Sequence, residues 1–228
     1  MMPVLLLAKS FIRQNRWLLL AFVLWPFLLG AFVWAPQHAA ARTDVAEIVQ
    51  QEIFYGVAVA AFLTSSAIYN EKRSRRIIGV LSKAVSRAEY LLGLMLGSGC
   101  FAAAYFIAVG VSMIWLLGFS DSIPSISLKV LWQGIIASLW IASLALLFST
   151  FLYPFIAAAL AGAIGFAPFA LSHVNKVLAP MPLLLENAGT GAAAANWIVS
   201  GITLSESALF LFVAARIFTL HDVTVSVE

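Results

Sequence analysis

The chain has 228 residues, 63% of them hydrophobic and only 10% charged, with thirteen Lys and Arg against ten Asp and Glu. Soluble domains carry about 25% charged residues, so this composition excludes a free globular domain and points to a bilayer protein. The slight basic excess is read as membrane topology and not as a nucleic-acid footprint, because cations in a membrane chain gather on its cytoplasmic flanks.

Residues 1–16, MMPVLLLAKSFIRQNR, place Lys9, Arg13 and Arg16 on one helical face of an otherwise largely apolar segment. That spacing predicts an amphipathic helix lying in the cytoplasmic interface; a plain basic flank to the first span is the alternative. Crossing ~30 Å of hydrocarbon takes about 20 apolar residues. The uncharged runs predict six crossings, near 17–34, 53–70, 91–118, 130–149, 152–172 and 198–220. They lack the alternation of a barrel strand. No small-residue cleavage site in a polar setting follows the first run closely, so that span is expected to be retained. The expectation is an all-α polytopic membrane protein with one transmembrane domain over 1–228.

Between the first two spans, APQHAAARTDVAEIVQQE (35–52) reads as a polar external loop in which Thr43 caps a short helix from Asp44 to about Gln51. SDSIPSISLK reads as a second, brief external loop, and Ser149, Thr150 and Pro154 mark a tight cytoplasmic turn. The segment HVNKVLAPMPLLLENAGTGAAAANW, from His173 to Trp197, is too apolar for a freely solvated loop. It predicts a re-entrant external segment before the last span, tolerated where protein or a wet cavity covers its backbone. With six spans and a cytoplasmic N-terminus, the inside holds Lys9, Arg13, Arg16, Lys72, Arg73, Arg75, Arg76, Lys83, Arg87 and Arg216. Only Arg42, Lys129 and Lys176 are left outside. This asymmetry puts both termini in the cytoplasm.

Glu206 is the one acid well inside a predicted span. It either faces a translocation path or pairs within a dimer, or else marks a late start of the sixth span at the outer interface. Pro168 offers the fifth span a kink that takes part in gating, and Ala158, Gly162 and Gly165 offer close helix approach. Trp17, Trp34 and Trp197 fall near span ends and suit interface anchoring. The single Cys100 cannot pair within the chain and reads as a small packing residue. His38, His173 and His221 lie on different loops, so no metal site is expected.

The densest charge lies in EKRSRRIIGVLSKAVSRAEYLLG, Glu71 to Gly93. Six of the thirteen cations (Lys72, Arg73, Arg75, Arg76, Lys83 and Arg87) fall within sixteen positions around the apolar Ile77, Ile78, Val80 and Leu81. A basic flank does not require that apolar centre. The pattern predicts a short cytoplasmic helix within 71–89 that presses on a partner protein; a basic loop on anionic headgroups is the alternative.

The order Glu71, Leu81-Ser82, Val85-Ser86-Arg87 and Tyr90-Leu91-Leu92-Gly93 resembles the segment after the second span of ABC-2-type transporter permeases. It departs from that pattern at Arg73, Arg75-Arg76, Ala84 and Leu94. The opening LLAKSFIRQNRWLLL and the ending ARIFTLHD are similar to the corresponding parts of that family. The resemblance implies the membrane subunit of an ABC exporter in the inner (plasma) membrane, paired with a second copy or a related chain. It also implies docking on separate cytoplasmic ABC ATPase subunits through Glu71, Arg75, Arg76, Ile77, Ile78, Leu81 and Arg87, with Glu71 at the start of the coupling helix.

The chain has no G-x-x-x-x-G-K-[ST] loop, so ATP and Mg are expected on the partner, with no cofactor, metal or nucleic acid bound here. Without a large external domain or a charged lining, the chain favours a lipid, lipid-linked or amphipathic substrate over a glycan or a small hydrophobic drug. Two other classes compete: an intramembrane hydrolase, which needs a nucleophile with a positioned base or paired acids, and a non-transporting scaffold or sensor subunit.

Overall fold

The computed structural model describes residues 2–31, 42–73, 86–117, 123–170, 180–184 and 193–220. The helices there are α1 (Met2–Gln14), α2 (Arg16–Leu29), α3 (Arg42–Arg73), α4 (Arg87–Leu117), α5 (Ile123–Ser149), α6 (Pro154–Ala170) and α7 (Ala193–Leu220), with a single helical turn at 181–184. The protein is an all-α, multi-pass membrane protein. Four stretches are long and apolar enough to cross a bilayer: Gln51–Asn70, Arg87–Trp115, Leu128–Ser149 and Trp197–Thr219. α2 and α6 are shorter apolar helices.

Two expected loops are helix instead. α3 opens at Arg42, so Asp44–Gln51 forms its first turns and is not a separate short helix. α5 opens at Ile123 and absorbs most of SDSIPSISLK. The physical reason is the same in both: neither Thr43–Tyr55 nor Ser125–Gln133 contains Gly or Pro, and nothing local stops a helix from running past the apolar stretch. Pro124 and Pro154 stand at helix starts, where a missing N–H costs nothing. The reversal between α5 and α6 is tight: the Thr150 amide donates to the Leu147 carbonyl at 3.3 Å, and the Leu152 amide to Phe148 at 2.8 Å.

α5 is the axis of the bundle. It packs against α3, α4, α6 and α7, and Trp140, Ala142 and Ala145 along it are fully buried. Glycines let large rings approach: Phe106 of α4 lies against Gly56 of α3 and Gly134 of α5, leaving no space for a Cβ at either. Side-chain pairs fix the directions. Phe54 meets Phe166 and Tyr69 meets Tyr153, so α3 and α6 are antiparallel. Trp132 meets Trp197 and Trp140 meets Phe210, so α5 and α7 are parallel.

α1 and α2 follow one another along α4 in its own direction. Leu7 seats on Gly93 and Phe11 on Gly97, while Phe22 reaches Phe101 and Tyr105 and Phe27 reaches Trp115. α1 buries Ala8 and Phe11 and exposes Lys9 and Arg13 together with Leu5 and Leu6, and it runs lengthwise along α4, which differs from the expected helix lying in the interface. The hydroxyls of Thr64, Ser112, Ser143, Thr203 and Ser207 donate to carbonyls three or four residues back in their own helices. That satisfies them where no water is at hand.

Candidate functional site

Three polar constellations stand out in this apolar bundle. The first opens α4. Ser86 and Glu89 form a reciprocal capping box: the Glu89 amide donates to Ser86 Oγ at 3.2 Å, and the Ser86 amide donates to Glu89 Oε2 at 2.9 Å. Arg87, held by that cap, reaches the far end of the sequence and donates from Nη1 to the carbonyls of Phe218 at 2.6 Å and Thr219 at 3.0 Å. These carbonyls belong to the last described turn of α7. A guanidinium there satisfies them and suits the negative end of the helix dipole. Tyr90 stacks on Phe218 at 6.2 Å, and Gly93 admits Leu7 of α1. The stretch Ser86-Arg87-Ala88-Glu89-Tyr90-Leu91-Leu92-Gly93 is therefore a junction binding α1, α4 and α7.

The second constellation joins α5 and α7. Trp140 is fully buried, and its Nε1 donates to Glu206 Oε2 at 2.8 Å; one end up, Trp132 donates to Ser200 Oγ at 3.3 Å. Glu206 lies nine residues past Trp197 in the apolar stretch of α7, so it is inside the helix and does not mark its start. The third joins α3 and α4. The Tyr105 hydroxyl donates to a carboxylate oxygen of Glu52, and the same hydroxyl lies 3.0 Å from the Glu52 carbonyl. Glu52 is only 3% exposed, and among the described residues Tyr105 is the one side chain found holding it.

Sequence reasoning missed Glu52, which fell at the edge of what reads as a polar loop. A signal was present: Glu52 stands four residues before Gly56, on the side of α3 that carries the buried Ile53, Val57, Ala60 and Ala61.

Of the residues expected to dock a partner, Glu71 is in the last turn of α3 and does not open a new helix; Arg75, Arg76, Ile77, Ile78 and Leu81 lie outside the described residues. Arg87 is half-buried on α7. Pro168 lies inside α6, in the last turn of its described residues. Gly165 lies under Ile141 and Trp140, whereas a Cβ at Gly162 would meet open space, which divides the expected small-residue face. Cys100 is exposed and packs no core. Trp17 and Trp197 are exposed near helix starts, and Trp34 lies outside the described residues. Met181 and Leu184, in the turn at 181–184, are buried in the core cluster that includes Trp140.

Compared with known protein families and with characterised proteins, the sequence matches none.

Proposed function

We propose that this chain is the permease subunit of an ATP-driven exporter of the ABC-2 type, with six crossings and both termini in the cytoplasm. It works as a dimer on separate ATPase subunits and moves a lipid, lipid-linked or amphipathic substrate. One observation carries the reading. The residues that resemble the family motif, Ser86-Arg87 and Tyr90–Gly93, form the junction of α1, α4 and α7, and α3 ends and α4 begins at that same end of the bundle, the two ends that the basic and apolar sequence 74–85 joins. A partner pressing on this segment pushes directly on α4 and, through Arg87, on α7.

Charge supports the orientation. Arg87 on α4 and Arg216 on α7 belong to that end and Lys9 on α1 lies toward it, the arrangement expected of a cytoplasmic face, while Arg13 and Arg16 follow Phe11 further along α4. The short α2 and α6 supply the first and fifth crossings in this reading, α2 being extended by α1 along α4. The burial of Met181 and Leu184 favours a segment that dips back into the bundle before α7.

Co-purification tests the reading. An ATPase subunit should accompany the chain from native membranes. Ile78→Asp or Leu81→Asp, which places a charge among apolar contacts, should release it or uncouple hydrolysis from transport, because anchors at the centre of an interface outweigh rim charges. Lys72→Gln should be mild. Normal assembly and coupling in both Asp variants reduces the segment to a lipid-facing basic loop and removes the reading's main support.

A further inference from the structure

α2 packs on α4 and makes little direct contact with α3. The gap between α2 and α3 is a crevice of about 310 Å³ lined by Ala21, Phe22 and Trp25 of α2 and Tyr55 of α3. Trp25 and Tyr55 meet edge to face at 6.2 Å and 90°. Both are exposed, so the crevice opens on the lipid-facing surface. Behind it, the Phe22 ring packs edge-on against Tyr105 at 5.6 Å, and Tyr105 holds Glu52. Glu52 precedes Tyr55 by three residues on α3 and is buried, not itself lining the crevice. An aromatic recess therefore backs onto a buried carboxyl that no described cation offsets.

We infer that the α2–α3 crevice binds an amphiphile with a net-cationic alkylammonium head. Aromatic faces attract an ammonium by their quadrupoles, more strongly when water is excluded. Glu52, reached through Phe22 and Tyr105, supplies the counter-charge once a cation is bound, because a nearby cation offsets the cost of keeping a carboxylate buried. The open side of the crevice leaves the ligand's tail in the bilayer. At ~30 Å³ per water, the space matches about ten waters, which is room for a substituted ammonium head. Among the described residues no Lys or Arg lines the crevice, and that charge pattern favours a simple cation over a zwitterionic lipid head. As a statement about the transported substrate this rests on the permease reading; as a binding site it does not.

The test uses the purified full chain in uncharged maltoside micelles without any ATPase. Equilibrium dialysis compares dodecyltrimethylammonium with dodecyldimethylphosphine oxide, which has the same tail and a similar head without net charge. The wild type should prefer the cation about tenfold, with dodecylphosphocholine a poor competitor. Glu52→Gln, which can still bond Tyr105, should abolish the preference. Trp25→Leu leaves the Glu52–Tyr105 pair untouched and should weaken cation binding several-fold. Equal binding of the two probes by the wild type, equal competition by the phosphocholine, or a preference that survives in Glu52→Gln overturns the assignment. If Glu52→Gln does not fold, an unchanged preference in Trp25→Leu overturns it. Failure to find an ATPase partner would overturn the permease reading alone.

Discussion

In hydrocarbon the Trp140 indole and the Glu206 carboxylate have no water to return to, so each is the other's escape from an unsatisfied state. Removing one partner of such a pair costs more than removing both, because the survivor keeps its full desolvation penalty. Trp140→Phe should therefore lower stability by about 1–3 kcal/mol plus a packing loss, measured as the thermal midpoint in detergent. Adding Glu206→Leu should restore part of that, and a double-mutant cycle isolates the coupling. A strictly additive double mutant would mean that the 2.8 Å contact carries no energy. Arg87 offers the complementary case at the end of the bundle. Its two bonds to the Phe218 and Thr219 carbonyls are charge-assisted, so Arg87→Ala should cost about 1.5–3 kcal/mol. Lys has one compact ammonium in place of a planar fork, so Arg87→Lys should recover only part of the loss. Faster proteolysis of the α7 terminus in Arg87→Ala, reversed partly by Lys, would report the same contact.

At the scale of helices, the seams are built from glycine opposed to aromatic rings. Gly56 and Gly134 hold Phe106 between α3 and α5, and a Cβ at Gly56 would stand 2.7 Å from the Phe106 and Tyr105 rings. Gly56→Ala should therefore overpack and cost about 1–3 kcal/mol. Gly162→Ala and Gly201→Ala, where nothing lies within 4 Å, should be neutral or slightly stabilising through helix propensity. Thermal unfolding of the three variants side by side decides it; a stable Gly56→Ala would show that the seam relaxes.

The same seams explain what the sequence could and could not tell. Apolar runs reveal which segments seek hydrocarbon, because in lipid the backbone must bond within its own segment; helices occupy the described parts of these runs, and four of them are long and apolar enough to cross. The runs do not reveal where a helix stops once it leaves the lipid, so α3 and α5 start earlier than expected. Glu206 was legible because an acid interrupts an apolar run. Glu52 was not, since its partner Tyr105 stands 53 positions away, and Arg87 was legible as a cation while its role as the tie to α7, across 131 positions, was not.

For the whole molecule, the decisive quantity is the distribution of cations between the two ends of the bundle. α1 lies beside the start of α4, Arg87 ties that start to the end of α7, and Arg216 is two residues before Phe218. Moving such a cluster across a bilayer is opposed by the bias that keeps Lys and Arg in the cytoplasm. The bundle's internal pairings then carry every other element with it: if the end with Arg87 is cytoplasmic, so are the end of α3 and the start of α4, while the end of α2 and the start of α7 face the opposite side. Cysteine accessibility tests this as one statement. Cys100 is exposed on α4, so Cys100→Ala removes the background thiol without opening the core. In that background, cysteines at Ala40 and Asn187 should react with an impermeant maleimide added to intact cells, and a cysteine at Ser74 should react only after the membrane is opened. Labelling at Ser74 from outside would invert the bundle and put 74–85 beyond the reach of any cytoplasmic ATPase. Labelling at Ala40 but not at Asn187 would leave the orientation intact and place the connection before α7 within the bundle, as the buried Met181 and Leu184 favour.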